Sequence, residues 1–302
     1  MATHTTKVKQ HKPKSVQTRI VDGTLIFLLL IIFLICAYPV WFVLVASVSN
    51  PTVVNSGKLL LLPEGFHLQG YISTLTDSRI ITGYRNTIIY TVAGTLVGLF
   101  CCLTAGYSLS RRDLLGRGFI MAYMVFTTFF SGGMIATYII VKNLGLLNTR
   151  TVMVLLGSVS VFNIIMARTF FQSTIPTELQ DAAFIDGCSN TRFFVSFALP
   201  LSKAIIAVLA LYLAVGYWNS YFNGLLYLTD RNLYPLQLFV REMLLLSSTS
   251  DVADGDMQGQ MNQLTSVIKS AVIVISTAPI MCLYPFMQKY FVKGVMVGSL
   301  KG

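Results

Sequence analysis

The stretch Glu178-Leu179-Gln180-Asp181-Ala182-Ala183-Phe184-Ile185-Asp186-Gly187-Cys188 is a polar interruption between two strongly apolar segments. Pro176 suits a first helical turn, where its missing N–H removes no hydrogen bond. Glu178 and Asp181 then lie near the helix N-terminus, where the helix dipole favours negative charge. Gly187 is suited to end the helix in a left-handed conformation. The stretch therefore predicts a short helix with a defined start and stop.

A second short helix is predicted directly after the first, over residues 191–198. Phe193, Phe194 and Phe197 fall on roughly one face of this helix, and Pro200 is expected to stop it. Two short helices between apolar segments are also typical of a hairpin that lies on the membrane surface and has no protein partner. Both interpretations remain open at this point.

The composition indicates an integral membrane protein. Only 11% of the 302 residues are charged, whereas a soluble domain carries about 25%. Hydrophobic residues make up 54% of the chain, so contact with a lipid bilayer is expected. The net charge of +10 does not indicate a nucleic-acid partner, because the basic residues lie in short loops beside apolar segments, where they determine topology.

Six apolar segments are predicted to span the membrane as helices, which need about 20 residues each. The first follows a basic tail, and it exceeds the ~7–15 apolar residues of a cleaved signal peptide. We therefore expect a tail over residues 1–22 and one transmembrane domain over residues 23–302. The predicted spans are residues 25–46, 86–108, 119–141, 151–167, 203–228 and 266–287.

Two spans and two loops carry further signals. Gly94 and Gly98 have the small-xxx-small spacing of closely packed helices, and Ser131-Gly132-Gly133 interrupts the third span. Residues 49–85 are predicted to form an external loop that contains a short helix. Residues 229–265 are predicted to form an acidic external loop, which lacks the ligand spacing of a calcium site.

Positive charge predicts the orientation. Arg111, Arg112 and Arg117 crowd the loop between the second and third spans, which indicates that this loop is cytoplasmic. With six spans, both termini are then cytoplasmic. The stretch 178–188 falls on the same side, where it could contact a cytoplasmic protein.

The sequence lacks the motifs of an enzyme or a self-powered carrier. It contains no Gly-x-x-x-x-Gly-Lys-Ser/Thr phosphate loop, no His-Glu-x-x-His and no nucleophile elbow. The five cysteines and three histidines are not spaced as metal ligands. The span cores lack the ionisable side chains that proton-coupled carriers keep at membrane depth. We therefore predict no catalytic residue, no metal site and no cofactor in this chain, and energy supplied by a partner.

The pattern Asp181-Ala182-Ala183, three residues, Gly187 and later Leu199-Pro200 resembles the cytoplasmic coupling loop of ABC-importer permeases. That family has Glu-Ala-Ala where this chain has Asp-Ala-Ala. The Asp186-Gly187 pair is similar to the carbohydrate-uptake branch, as are the segments at residues 130–134 and 142–146 and the tail at residues 288–294.

The resemblance implies an all-α membrane protein with the type I ABC importer permease fold. It implies that the loop at about residues 172–201 contacts the ATPase. The implied coupling residues are Glu178, Asp181, Ala182, Ala183, Asp186, Gly187, Leu199 and Pro200.

The same resemblance implies a complex in a bacterial plasma membrane, in which this chain is multi-pass. The implied partners are a second homologous permease, usually non-identical, two cytoplasmic ATP-binding subunits and an extracellular solute-binding protein that delivers an oligosaccharide. ATP and Mg²⁺ would be held by the ATP-binding subunits. The alternatives are a self-contained carrier or channel, and a permease for another solute such as amino acids or polyamines.

Aromatic and amide side chains in two spans are candidates for the substrate path, because sugars present both C–H faces and hydroxyl groups. The same aromatic residues are also typical of an interfacial belt or of helix packing. The candidates are Phe130, Tyr138, Tyr217, Trp218, Asn219, Tyr221 and Asn223.

Overall fold

The computed structural model of the chain describes residues 16–56, 61–249, 267–283 and 285. Within these ranges every regular element is a helix, so the predicted all-α class is confirmed. The α-helices are α1 (Val16–Ser47), α2 (Pro51–Asn55), α3 (Gln69–Thr76), α4 (Ser78–Ser110), α5 (Arg117–Phe129), α6 (Gly133–Asn143), α7 (Arg150–Leu155), α8 (Val161–Thr174), α9 (Thr177–Ile185), α10 (Asn190–Phe193), α11 (Leu199–Leu201), α12 (Lys203–Trp218), α13 (Phe222–Tyr227), α14 (Leu236–Thr249) and α15 (Val267–Leu283).

Two of the described helices, α1 and α4, are each long and apolar enough to cross a membrane alone. The α1 helix includes the predicted span 25–46, and it begins at Val16, inside the stretch assigned to the tail. Residues 1–15 lie outside the described residues. With 33 residues, α4 is about 50 Å long at ~1.5 Å per residue. It therefore begins before the predicted span 86–108 and includes the last part of the predicted loop, in which α3 is the expected short helix.

The α4 helix is the centre of the described fold, and it packs against α8 and α12 through glycines. A Cβ atom added at Gly94 would lie 2.2 Å from the ring of Tyr217 in α12. At Gly106 it would lie 2.5 Å from the Cβ of Ala167 in α8, and at Gly98 it would come within 2.9 Å of α12. The close packing predicted from the small-residue spacing is confirmed.

The third predicted span, 119–141, is two helices bent by 110°. The break lies at the predicted position, where Gly133 has a φ of +77° that a residue with a side chain rarely adopts. The prediction of a break is therefore confirmed.

The prediction of one helix over residues 151–167 is wrong, because α7 and α8 are separated by residues 156–160. The hydroxyl of Tyr217 donates to the carbonyl of Val154, which would otherwise accept the N–H of Ser158 in a continuous helix. The N–H of Ser158 donates instead to Leu155 O, at 3.2 Å. A contact from α12 therefore ends α7.

The prediction of one helix over residues 203–228 is also wrong, since α12 ends at Trp218 and α13 begins at Phe222. Residues 229–249, predicted as loop, contain a 3₁₀ turn and α14. The acidic part of that predicted loop lies in residues 250–266, outside the described residues. The α15 helix lies within the sixth predicted span.

The number of membrane spans stays a prediction. By length and composition, the described residues contain two spanning helices, or four if each bent pair counts as one span. The second bent pair joins Asn190–Leu201 to α12 at an angle of 82°.

Candidate functional site

The predicted helix at residues 178–188 is α9. Pro176 occupies its N-cap position rather than its first turn, and Glu178 lies in the first turn as expected. At the other end the N–H of Gly187 donates to Phe184 O at 3.0 Å, and the N–H of Cys188 donates to Ala183 O at 2.9 Å. Together these bonds form a Schellman motif.

Gly187 adopts a φ of +77°, so the predicted left-handed cap is confirmed. A Cβ added at Gly187 would have no atom within 4 Å. The space around this residue is therefore open within the chain, and its backbone is accessible to another protein.

The two faces of α9 differ. Gln180 and Ala183 are buried against the rest of the chain, whereas Asp181 and Ala182 are exposed. Ala183, one of the implied coupling residues, therefore faces the rest of the chain rather than the outer surface of α9. Its buried position lets α9 approach the aromatic cluster beneath it.

The sequence analysis did not identify Ile185, whose side chain is 86% exposed at the end of α9. This isoleucine lies directly before the Asp186-Gly187 turn, where its apolar side chain is accessible to another protein. The sequence could have indicated Ile185, because it is an apolar residue on the helix face opposite to Gln180 and Ala183.

The second predicted helix is a continuous helical segment, Asn190–Leu201, with a π-helical turn at Phe194–Ala198. Phe193 is fully buried, whereas Phe197 is 38% exposed. The predicted stop at Pro200 is confirmed to within one residue, because α11 ends at Leu201 and the chain then bends by 82°. The wider π turn accommodates a proline, which lacks an N–H and would clash with the preceding turn of a regular helix.

The predicted coupling loop, residues 172–201, packs on an aromatic cluster at the end of α4. The ring of Tyr107 lies 5.6 Å from Phe171 of α8 and 4.8 Å from Phe194, measured between ring centroids. The guanidinium of Arg111 lies 4.8 Å from the Tyr107 ring centroid and donates to Gln180 Oε1 of α9. Both halves of the loop are therefore attached to α4 and α8.

A cleft of about 680 Å³ separates α9 from the loop that follows α4. Charged residues of both signs line it, so it can exchange polar contacts with another protein. They are Arg111, Arg112, Asp113, Arg117 and Asp181. Among the residues that the structure describes, no three His, Cys, Asp or Glu side chains form a group that could hold a metal ion.

A second, polar cavity of about 350 Å³ lies between α8, α12 and α13. Two of the predicted path residues, Tyr217 and Asn223, line it. The remaining lining residues are Gly157, Ser160, Asn163, Tyr212, Leu213, Gly216 and Ser220. The lining therefore combines apolar surface with hydroxyl and amide groups that carry no formal charge, and the name polar cavity refers to these groups.

The other predicted path residues do not line this cavity. Trp218 is buried, and its Nε1 donates to Ser276 O of α15 at 2.9 Å. Tyr138 stacks on Tyr227 with ring centroids 6.0 Å apart. Phe130 is 67% exposed.

Asn219 and Tyr221 lie in the break after α12. The side-chain amide of Asn219 donates to Val215 O at 2.9 Å. The guanidinium of Arg241 lies 5.8 Å from the Tyr221 ring centroid. Neither residue lines the polar cavity.

Four polar lining residues were missed: Ser160, Asn163, Tyr212 and Ser220. Asn163 is buried in α8. It was the only amide side chain in the predicted span 151–167, and this could have indicated it.

Comparisons with known proteins extend over nearly the whole chain. No protein-family model matches it. The polygalacturonan/rhamnogalacturonan transport system permease protein YtcP of Bacillus subtilis (strain 168) is 39% identical over 95% of this chain and 100% of its own length. Protein LplC of the same organism is 39% identical over 87% of this chain and 89% of its own.

Among solved structures, the chain resembles a subunit in the crystal structure of a bacterial ABC transporter involved in the import of the acidic polysaccharide alginate. The TM-score is 0.82 with 29% identity, and the match covers 93% of this chain and 100% of that chain. The similarity therefore includes both the coupling loop and the helices that surround the polar cavity.

Proposed function

This chain belongs to the carbohydrate-uptake family of ABC-importer permeases, and we propose that it conducts an oligosaccharide across a bacterial plasma membrane. It is a transport subunit of a binding-protein-dependent importer and not an enzyme. We propose that ATP and Mg²⁺ bind to two cytoplasmic ATP-binding subunits, and that an extracellular solute-binding protein delivers the sugar.

The polar cavity is the observation that supports a sugar as the substrate. Sugar hydroxyls both donate and accept hydrogen bonds, and the hydroxyl of Ser160 and the amides of Asn163 and Asn223 can do the same. Among the described residues that line the cavity there is no Lys, Arg, Asp or Glu, which disfavours amino acids and polyamines as solutes. To a uronic carboxylate the described lining offers neutral hydrogen-bond donors but no cation.

The bend between α5 and α6 supports a second permease beside this one. Residues 130–132 leave the helix within a pair of apolar helices, so their backbone polar groups must face protein or water rather than lipid. No residue of α5 is buried within its own chain. A second, non-identical permease packed on this face would cover the bend.

The proposed orientation places the Arg111 end of α4 in the cytoplasm, since three arginines lie there within seven residues of sequence, at 111, 112 and 117. In this orientation α9 presents Ala182, Ile185 and Gly187 to an ATP-binding subunit. Movement of that subunit would displace α9 as a rigid body and change access to the polar cavity.

The test of this proposal is purification of the tagged chain from mild detergent, with a matched pair of variants. Gly187→Trp adds a large side chain at the proposed docking surface. Gly145→Trp imposes comparable backbone strain, because Gly145 has a φ of +66° and no atom within 4 Å of an added Cβ. Gly145 lies beyond α6, towards the Asp77 end of α4.

We expect the unmodified chain and Gly145→Trp to co-purify with a second permease and an ATP-binding subunit. Gly187→Trp should insert into the membrane but lose the ATP-binding subunit and transport. A chain that purifies alone and transports in liposomes without ATP would contradict the proposal and favour a self-contained carrier. Uptake of a neutral and a uronic oligosaccharide, compared in the same liposomes, would identify the class of sugar.

A further inference from the structure

We propose that Arg111 fixes the coupling helix α9 to the end of α4 through Gln180, so that a displacement of α9 is transmitted to α4. The inference rests on the proposed function. In it Arg111 is a positioning residue, which contacts neither the sugar nor ATP.

The geometry of Arg111 is that of a buried cation held by neutral groups. Arg111 directly follows Ser110, the last residue of α4, and it is only 9% exposed. It donates to Gln180 Oε1 and to Ser110 Oγ, the latter at 3.0 Å, and it covers the ring of Tyr107. Arg111 forms no ion pair with any carboxylate in the part of the chain that the structure describes.

This arrangement resists separation of α9 from α4. A buried charge is costly unless hydrogen bonds satisfy it, and Gln180 supplies an acceptor that no other residue of α9 supplies to Arg111. Gln180 itself is 7% exposed. If α9 moved alone, it would leave a buried guanidinium without this acceptor, so α9 and the end of α4 should move together.

Two further bonds attach the neighbouring helices to the same end of α4. The Nη1 of Arg117, at the start of α5, donates to the main-chain oxygen of Arg111 at 3.1 Å. The Nε of Arg168 in α8 donates to Leu109 O at 3.1 Å. The end of α4 therefore connects to α5, α8 and α9 at once.

From this end, α4 leads directly to the polar cavity. Gly94 of α4 lies against the ring of Tyr217, and Tyr217 lines the cavity. Because the glycine contact leaves no free space, a displacement of α4 must also move Tyr217. The path from α9 to the polar cavity thus consists of the hydrogen-bonded pair Arg111 and Gln180 and the close-packed helix α4.

The experiment uses the complete importer in liposomes, with both permeases, the ATP-binding subunits and the solute-binding protein. The quantity measured is the number of ATP molecules hydrolysed per sugar transported. The variants are Arg111→Ala, Gln180→Ala, the double variant and Gln180→Glu, which keeps an acceptor and adds a charge. Arg150→Ala is the matched control, because Arg150 is an exposed arginine outside the cleft beside α9.

We expect Arg111→Ala and Gln180→Ala each to raise this ratio about tenfold, which corresponds to a coupling of ~1.4 kcal/mol. The double variant should equal either single variant, since both remove the same bond. Gln180→Glu and Arg150→Ala should retain the original ratio. A merely structural role would instead reduce assembly, ATP hydrolysis and transport in proportion and would leave the ratio unchanged.

An unchanged ratio in Gln180→Ala, or additive effects in the double variant, would overturn the inference even if Arg111→Ala failed to assemble. The proposed function fails separately. If the unmodified importer shows no ATP-dependent uptake of sugar, the proposal that this chain conducts an oligosaccharide is contradicted, whatever the variants do.

Discussion

Helices α1 and α4 have nearly the same length, 32 and 33 residues, but they differ in what they contact. The α1 helix is the more hydrophobic of the two, and almost every side chain from residue 20 to residue 35 is exposed. The α4 helix is less hydrophobic and contacts α7, α8, α12 and α14. Hydrophobicity thus selects which helices enter a membrane but does not select which helices pack together.

The difference lies in small residues. Lipid chains are as apolar as leucine, so an apolar helix gains little by exchanging lipid for another apolar helix. A row of glycines changes this balance, because it lets two backbones approach closely. The α4 helix has Gly94, Gly98 and Gly106 along its packed faces, whereas α1 has the single Gly23 with no atom near an added Cβ.

The largest effect is expected for a substitution at Gly94, which removes the close glycine packing that distinguishes α4 from α1. Gly94→Ala places a Cβ 2.2 Å from the Tyr217 ring, so the ring must move and its hydrogen bond to Val154 O is lost. We expect overpacking to cost about 1–3 kcal/mol and the lost hydrogen bond a further ~0.5–1.5 kcal/mol, together more than the ~1 kcal/mol that alanine gains over glycine in a helix. The measurement is the thermal unfolding midpoint in detergent.

Gly23→Ala in α1 is the control for Gly94→Ala. Because nothing lies within 4 Å of the added Cβ, only the gain in helix propensity applies, and the midpoint should stay constant or rise. Equal destabilisation by the two changes would show that glycine packing does not distinguish α4 from α1.

An intermediate effect is expected at Gly216, which sharpens the comparison by separating packing from function. Gly216 lies on α12, one residue before Tyr217, but an added Cβ there meets no atom within 4 Å, and the residue lines the polar cavity. Gly216→Leu should leave the unfolding midpoint unchanged and reduce sugar uptake at least about tenfold, equivalent to ~1.4 kcal/mol. Gly216→Ala should retain most of the uptake, and full uptake by Gly216→Leu would remove this cavity from the proposed path.

The smallest expected effect concerns how the two helices begin. The first turns of α1 and α4 both lack an acidic residue, and α4 is capped by Asp77, which accepts the N–H of Arg79 at 2.8 Å. The Arg79 guanidinium beside Asp77 holds the pKa of this carboxyl below its ordinary value of 3.8. Asp77→Ala should cost about 1 kcal/mol at neutral pH.

Because the pKa of Asp77 is lowered by folding, its stabilisation is present above pH 3.8 and is lost as the pH falls through the lowered pKa. The difference in unfolding midpoint between the wild type and Asp77→Ala should therefore be largest near pH 7 and shrink in strong acid. A difference that grows in acid would contradict this role of Asp77.

Much of the coupling loop could be predicted because its signals are local. The left-handed cap at Gly187, the helix before it and the break at Ser131-Gly132-Gly133 depend on backbone conformations that a few neighbouring residues determine. The packed glycines of α4 were predicted for the same reason, since their spacing on one helix is visible in the sequence.

Other features of the candidate site depend on partners far away in sequence. The sequence of residues 151–167 predicts one helix. The helix is interrupted because the hydroxyl of Tyr217 donates a hydrogen bond to the carbonyl of Val154. From the sequence, Trp218 could contact a sugar or pack between helices. The structure shows packing, because its Nε1 donates to the main-chain oxygen of Ser276 in α15. Neither contact leaves a periodic signal in the sequence.

The sequence by itself determined the membrane class, the coupling-loop motif and the resemblance to ABC-importer permeases, because composition, spacing and hydrophobicity are properties of short segments. Only the tertiary structure decided that Ala183 is buried, that Asn163 lines a polar cavity and that Gln180 accepts a hydrogen bond from Arg111. Each of these depends on which helices lie side by side. In a bilayer that choice is made by close contacts between distant residues, since the apolar faces of all these helices are equally compatible with lipid.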